Sequence, residues 1–318
     1  MIARKFKVFK RGLFHMAVMI VLITVSGAAL ASFAQTIDRT APEAVFKTNS
    51  DLVVVPVSVS DRKGHTVLGL SSNNFTVVDE NAYREIASFS RWDVPSSLGV
   101  IFDVSGSMRG TEGVAVTAAR ALIDDANPDD EGFLVTFADA PRLEVEMTRD
   151  LDRVPARLSF LRRQGATALF DAIDMGLHQM KGAKTPRRAL VVITDGGDNR
   201  SRLTFRELLS RSLEADVQVY GILFRRANWD SDAQRGRPQL EHLANETGGR
   251  PFIIDFASQL PQTMATVGEL IRNQYLIGYK RPEGAQSGKW RRIHVRLRPT
   301  GFGSLRINAK GGYYAPSK

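Results

Sequence analysis

Three short segments hold the residues best suited to chemistry: Asp103-Val104-Ser105-Gly106-Ser107, Gly165-Ala166-Thr167-Ala168-Leu169 and Thr194-Asp195-Gly196. From them Asp103, Ser105, Ser107, Thr167 and Asp195 supply two carboxylates and three hydroxyls, all hard oxygen donors. Such a set suits Mg²⁺, Mn²⁺ or Ca²⁺. A hard dication takes about six oxygens, and a pair of carboxylates only cancels its charge. With hydroxyls in its inner shell and the carboxylates partly behind water, the ion stays electrophilic. It then favours one further anionic ligand, an Asp or Glu presented by another protein. Asp198 and Asn199 follow closely enough to support such a site, although residues of this kind also serve simply as loop.

Other chemistries find less support. The 318 residues contain no cysteine, which excludes thiol nucleophiles, disulfides, thiolate zinc sites, iron–sulfur clusters and a lipoprotein anchor. The five histidines share no metal-ligand spacing, and neither Ser105 nor Ser107 sits in a Gly-x-Ser-x-Gly elbow. Asn228, Asp230 and Asp232 follow calcium-loop spacing, but Ala233 stands where glycine is needed and Gln239 where glutamate is needed. Gly182-Ala183-Lys184-Thr185 lacks the Gly-Lys pair of a phosphate loop. A metal-assisted hydrolase would need a general base, and only the two aspartates are on offer. The expected activity is binding, with no catalytic residue assigned.

The donors need elements that bring them together. From Leu98 onward, apolar runs of strand length (98–103, 132–137, 189–195, 217–224 and 251–255) alternate with helix-length amphipathic stretches. The helices are expected at 113–126, 151–163, 168–181, 204–215, 238–247 and 257–273. This alternation describes a doubly wound, mostly parallel sheet covered on both faces, a Rossmann-like α/β fold. All three donor segments fall at the carboxyl end of a strand or just before a helix, where such sheets bind ligands.

Strand texture also flanks this part. Leu52–Ser60 reads LVVVPVSVS, followed by FTVVDE and REIASFS, and after Gln274 come QYLIGYK, RIHVRLR, SLRINAK and GGYY. Neither flank has enough strands to stand alone, so 35–93 and 274–318 are expected to pack into one small β-sandwich around the inserted 94–273 domain. Between Lys280 and Lys310 there are nine basic residues and one acid, Glu283. A solvated strand face that discourages edge pairing explains this, and so does a patch for anionic surface polymers or acidic partner proteins.

The formal charge of +9 is misleading about partners. Residues 1–34 contain Arg4, Lys5, Lys7, Lys10 and Arg11 and no acid, and without them 38 basic residues face 34 acidic ones. An apolar run from Met16 to Val25 follows, then small residues to Ala34, the pattern of a secretory signal with cleavage after Ala31 or Ala34. If retained, residues 13–34 would anchor the chain in a membrane. Either way the folded part is expected in the periplasm, in the envelope or outside the cell, which removes the nucleic-acid reading of the charge.

The DVSGS segment, the downstream Thr167 and the TDG together resemble the metal-ion-dependent adhesion site of von Willebrand factor A domains. The layout, with VPVSVSDRKG, FTVVDE, EIASFSRWD, GATALFDAI, QYLIGYK and GGYYAP, resembles the secreted bacterial VWFA-related family often labelled acidobacterial. The resemblance implies that Ser105 and Ser107 bind the metal directly. It implies that Thr167 binds directly or through water, and that Asp103 and Asp195 act mainly through water. Function follows as a metal-dependent, adhesion-type protein-binding module. The alternatives are an envelope component that the metal only stabilises, or a metal-assisted hydrolase.

Overall fold

The computed structural model describes residues 52–92, 94–160, 165–225, 231–299, 301 and 303–315. The expected leader 1–34 lies outside the described residues, as do Asn228 and Asp230 of the rejected calcium loop. In chain order, β1 (Leu52–Ser60), β2 (Phe75–Asp79), β3 (Ala82–Arg84) and β4 (Ile86–Trp92) come first. The α/β part follows as β5 (Ser96–Asp103), α1 (Glu112–Ile123), β6 (Glu131–Phe137), β7 (Pro141–Thr148), α2 (Arg153–Leu158) and α3 (Leu169–Met180). It continues with β8 (Arg187–Thr194), α4 (Phe205–Ala215), β9 (Gln218–Phe224), α5 (Ser231–Glu246), β10 (Pro251–Ile254) and α6 (Leu260–Arg272). Strands β11 (Gln274–Lys280), β12 (Trp290–Leu297), β13 (Arg306–Ala309) and β14 (Gly312–Tyr314) close the chain.

The central sheet has the order β10-β9-β8-β5-β6-β7, parallel except for β7. Its middle strands are apolar at nearly every position because both faces are covered. From β5, Leu98, Val100 and Phe102 pack on one face with Ala118 and Leu122 of α1 and Met264 and Val267 of α6. Ile101 points the other way, into a core with Ile173 and Leu177 of α3, Leu208 of α4 and Leu240 and Leu243 of α5. This is the doubly wound α/β architecture read from the sequence.

Two elements depart from expectation. Strand β7 was not among the expected strands: Arg142, Glu144 and Glu146 alternate with Leu143, Val145 and Met147, a pattern that only a half-exposed edge strand tolerates. Helix α5 starts at Ser231, well before the expected 238–247 span, and carries Pro238 inside it. Proline ordinarily marks a helix start because it lacks the amide that an interior position must donate.

The flanking segments form two four-stranded antiparallel sheets, β13-β1-β11-β4 and β14-β12-β2-β3. Alternate residues of both, including Val55, Val57, Val77, Tyr275, Ile277 and Ile293, share one apolar core. Inside it, Asp79 is fully buried and accepts hydrogen bonds from Tyr279 Oη and Tyr313 Oη, each at 3.1 Å. The Arg291 guanidinium donates to its other oxygen from Nε at 2.9 Å and from the terminal nitrogen at 2.6 Å. A buried carboxylate is tolerated only when paired and saturated with donors in this way. Since Asp79 lies on β2, Tyr279 on β11, Arg291 on β12 and Tyr313 on β14, this one group ties the N-terminal to the C-terminal segment. Substituting Asp79→Ala orphans the guanidinium and both phenols, and should cost about 3–5 kcal/mol in urea unfolding. A loss below about 1 kcal/mol would show that the network contributes little.

Candidate metal centre

The donors converge because of strand order. Strands β5 and β8 are parallel neighbours at the middle of the sheet, with Phe102 beside Ile193, so Asp103 and Thr194 emerge together at the carboxyl edge. From here the chain winds one way through β6 and the other way through β9 and β10, which is where a doubly wound sheet opens a crevice.

Asp103 ends β5 with its side chain fully buried. Its Oδ1 accepts from the Ser105 amide at 2.8 Å and its Oδ2 from Thr194 Oγ1 at 2.7 Å. The Ser105 and Ser107 hydroxyls lie 3.0 Å apart, Ser105 buried and Ser107 half-buried. Asp195 is buried one residue beyond β8, and its charge acts on Asp103. Thr167, also buried, stands just before α3 on a loop stitched to both of the others. The Gly106 amide donates to the Gly165 carbonyl at 3.2 Å, and the Thr167 amide donates to Asn199 Oδ1 at 3.0 Å. The amides of Asn199 and Arg200 return bonds to the Thr167 carbonyl.

Asp198 and Asn199, expected beside the site, hold the Thr167 loop and the start of α3, whereas Ser201 and Asp139 carry no chemical signature in the sequence. Asp198 accepts from the Leu169 amide at 2.9 Å and from Ser201 Oγ at 2.6 Å, while Ser201 Oγ receives the Phe170 amide. Together they cap the start of α3 in place of a residue at the cap position. Asp139, on the β6–β7 turn, accepts from the Ala166 amide at 3.0 Å. Gly165 has φ +96°, and a side chain there would run into Asp139, so this turn needs glycine. Thr194 was legible only as part of a turn motif; its hydroxyl accepts from the Gly196 amide at 3.0 Å while donating to Asp103.

Burial pushes the Asp103 carboxyl up to about 6, the Asp195 charge adding to it, against hydrogen bonds from Ser105 and Thr194 that hold it down. Burial likewise raises Asp198, opposed by its bonds from Ser201 and α3. Among the described residues no cluster of three or more His, Cys, Asp or Glu forms a metal cage, so a cation here would rest on carboxylates and hydroxyls together. The donor set fits one. It is all oxygen, and a fully buried carboxylate has only dipoles, and no cationic side chain among the described residues, to balance it.

A doubly wound sheet with an oxygen-rich crevice at its switch point has the architecture in which α/β domains bind ligands. Residues 98–197, which include all five donors, match the family model described as von Willebrand factor type A domain. Within the α/β part, that segment is similar to the von Willebrand factor type A domain, a class commonly used for protein interaction or adhesion. Among solved structures, a von Willebrand factor type A protein from Catenulispora acidiphila matches 78% of this chain and 75% of its own at 13% identity and a TM-score of 0.51. The conserved hypothetical protein BatB from Bacteroides thetaiotaomicron matches 55% of this chain and 98% of its own at 16% identity and a TM-score of 0.42. The vWF domain of the type V pili tip protein Mfa5 from Porphyromonas gingivalis matches 57% and 96% at 10% identity and a TM-score of 0.45. Likeness at these identities concerns the fold. No curated protein matches the sequence.

The raised Asp103 has a consequence for the metal-free protein. An unfolded aspartate releases its proton near 3.9, whereas native Asp103 holds it to about 6. Between those values the native state binds more protons, so stability from this group is present at low pH and is lost as pH rises. In chelator, Asp103→Asn should therefore gain stability relative to wild type from pH 4 to 6 and level off above about 7, in urea melts at each pH. A difference that stays flat with pH would show that the carboxyl titrates normally.

Proposed function

We propose that this protein is an exported, metal-dependent protein-binding module of the adhesion type. In this reading one divalent cation, Mg²⁺ foremost, is held by Ser105, Ser107 and Thr167, with Asp103 and Asp195 balancing its charge. When bound, it supplies a Lewis-acidic position for a carboxylate on a partner protein. The observation that carries the reading is the buried Asp103 carboxylate beside two near-touching serine hydroxyls at the sheet's switch point.

The chain's own residues fix the donors in advance. Asp103 holds the Ser105 amide, Asn199 holds the Thr167 amide, and Thr194 orients Asp103. Preorganisation of this kind lowers the ordering cost of binding. The proposal is of binding without catalysis, because both titratable groups of the donor set are committed to the cation and leave no base. Export rests on the basic, apolar and small-residue succession of residues 1–34. The proposed organisation is a domain at 94–273 carried between segments 35–93 and 274–318.

Thr167→Ala removes one donor without touching the buried carboxylates. It should weaken Mg²⁺ binding by at least tenfold in calorimetry and abolish chelator-sensitive capture of proteins from an envelope extract, with the melting profile in chelator unchanged. Capture that persists in chelator would contradict the mechanism. Mg²⁺ binding with a large rise in melting temperature but no metal-dependent capture would favour a purely stabilising ion in an envelope component.

A further inference from the structure

Away from the metal centre, the outer face of sheet β14-β12-β2-β3 carries an organised set of side chains. Strand β12 pairs with β2 from Ile293 to Leu297 and with β14 from Trp290 to Arg292, so edge guarding does not explain the charge at Arg292, where β12 is flanked by β14. Its inward residue Ile293 enters the core, while Arg292, His294 and Arg296 stand exposed on the opposite face at every second position. Their span from first to last is about 13 Å at the usual strand rise, longer than a single sugar ring. Neither arginine side chain has an acidic partner among the described residues, in contrast to Arg291 next to them, which is committed to Asp79.

The register places His294 beside Val78 and Val78 beside Tyr83, in one row across three strands. Tyr83 is 75% exposed, an unusual position for a large aromatic ring on a strand. Together these residues line an open groove of about 500 Å³ whose remaining wall is Glu80 and Asn81. A second groove of about 400 Å³ shares Arg292 and His294 and extends the depression toward β13.

We propose that this face binds an anionic glycan, a chain of sugars bearing carboxylate or sulfate groups. The arginines meet the acidic groups, with guanidinium forks suited to planar oxyanions. The exposed ring of Tyr83 offers a flat apolar surface for one face of a pyranose. Glu80 and Asn81 accept from sugar hydroxyls, a role that a phosphate-dense nucleic acid would leave unfilled. Among the described residues that face presents a single exposed aromatic ring, Tyr83, whereas stacking of successive bases uses several.

The test uses the full chain in chelator, so that the outcome is independent of the metal centre. Binding to oligogalacturonate, dextran sulfate, uncharged dextran and a thymidine 20-mer is compared by biolayer interferometry at low and at 0.15 M salt. Oligogalacturonate or dextran sulfate should bind and dextran should not, with the tighter of the two identifying the acidic group. Arg292→Gln with Arg296→Gln should weaken that binding at least tenfold and flatten its salt dependence. Tyr83→Ala should weaken it several-fold, whereas Tyr83→Phe retains it. All three positions are exposed, and circular dichroism melts confirm that the variants fold; Arg296→Gln alone replaces the double variant if it does not. Failure of both anionic glycans to bind, binding indifferent to these substitutions, or tighter binding of the oligonucleotide through the same arginines would each overturn the proposal.

Discussion

A carboxylate driven to the middle of a parallel sheet is the constraint around which this molecule is arranged. Asp103 ends the central strand, sealed from water, where an ionised group is expensive unless something positive answers it. Here hydrogen bonds from Ser105 and Thr194 answer it, and Asp195 adds a second negative charge nearby. Local strain of this kind is concentrated at sites that bind or react, since packing alone gains nothing from it. The rest of the crevice follows from that one group, because the loops that could relieve it are tied to one another by backbone bonds rather than left free.

Those ties show how a fold converts distant sequence into a fixed array. Gly106 reaches Gly165, Thr167 exchanges bonds with Asn199, and Asp198 and Ser201 seat the first turn of α3. The second buried carboxylate, Asp79, makes the contrast plain. It is answered fully by Arg291 and two tyrosines and therefore acts as a structural clasp between the chain's two flanks. One buried acid is answered by a guanidinium, and the other, in the proposed reading, is answered by a cation. Burial alone thus does not distinguish a clasp from a binding site; the partners do.

Much of this was legible in the sequence, and for identifiable reasons. The strand runs around Val100, Leu134, Val191 and Ile222 are apolar on both faces and separated by helix-length stretches, which leaves little freedom but a covered parallel sheet. The five donors could be picked out because hydroxyl and carboxylate side chains recur just past strand ends. What escaped was set by tertiary context. Strand β7 is half charged because it lies at the sheet's edge, and Pro238 sits inside α5 where local rules would start a helix. Asp139 sits in a turn whose sequence gives no sign of the Ala166 amide that the fold brings to it. In the same way the basic run after Lys280 divides, Arg291 going to a buried acid while its neighbours face outward, and only pairing register reveals that division.

The most direct measurement is a crystal structure of the protein soaked in Mn²⁺, read by anomalous scattering. A single strong peak bounded by the hydroxyls of Ser105 and Ser107, at close to the roughly 2.1 Å of hard-ion oxygen bonds, is the predicted result. Saturating Mn²⁺ with no peak in that crevice, or a peak whose oxygens come from elsewhere on the molecule, would contradict it.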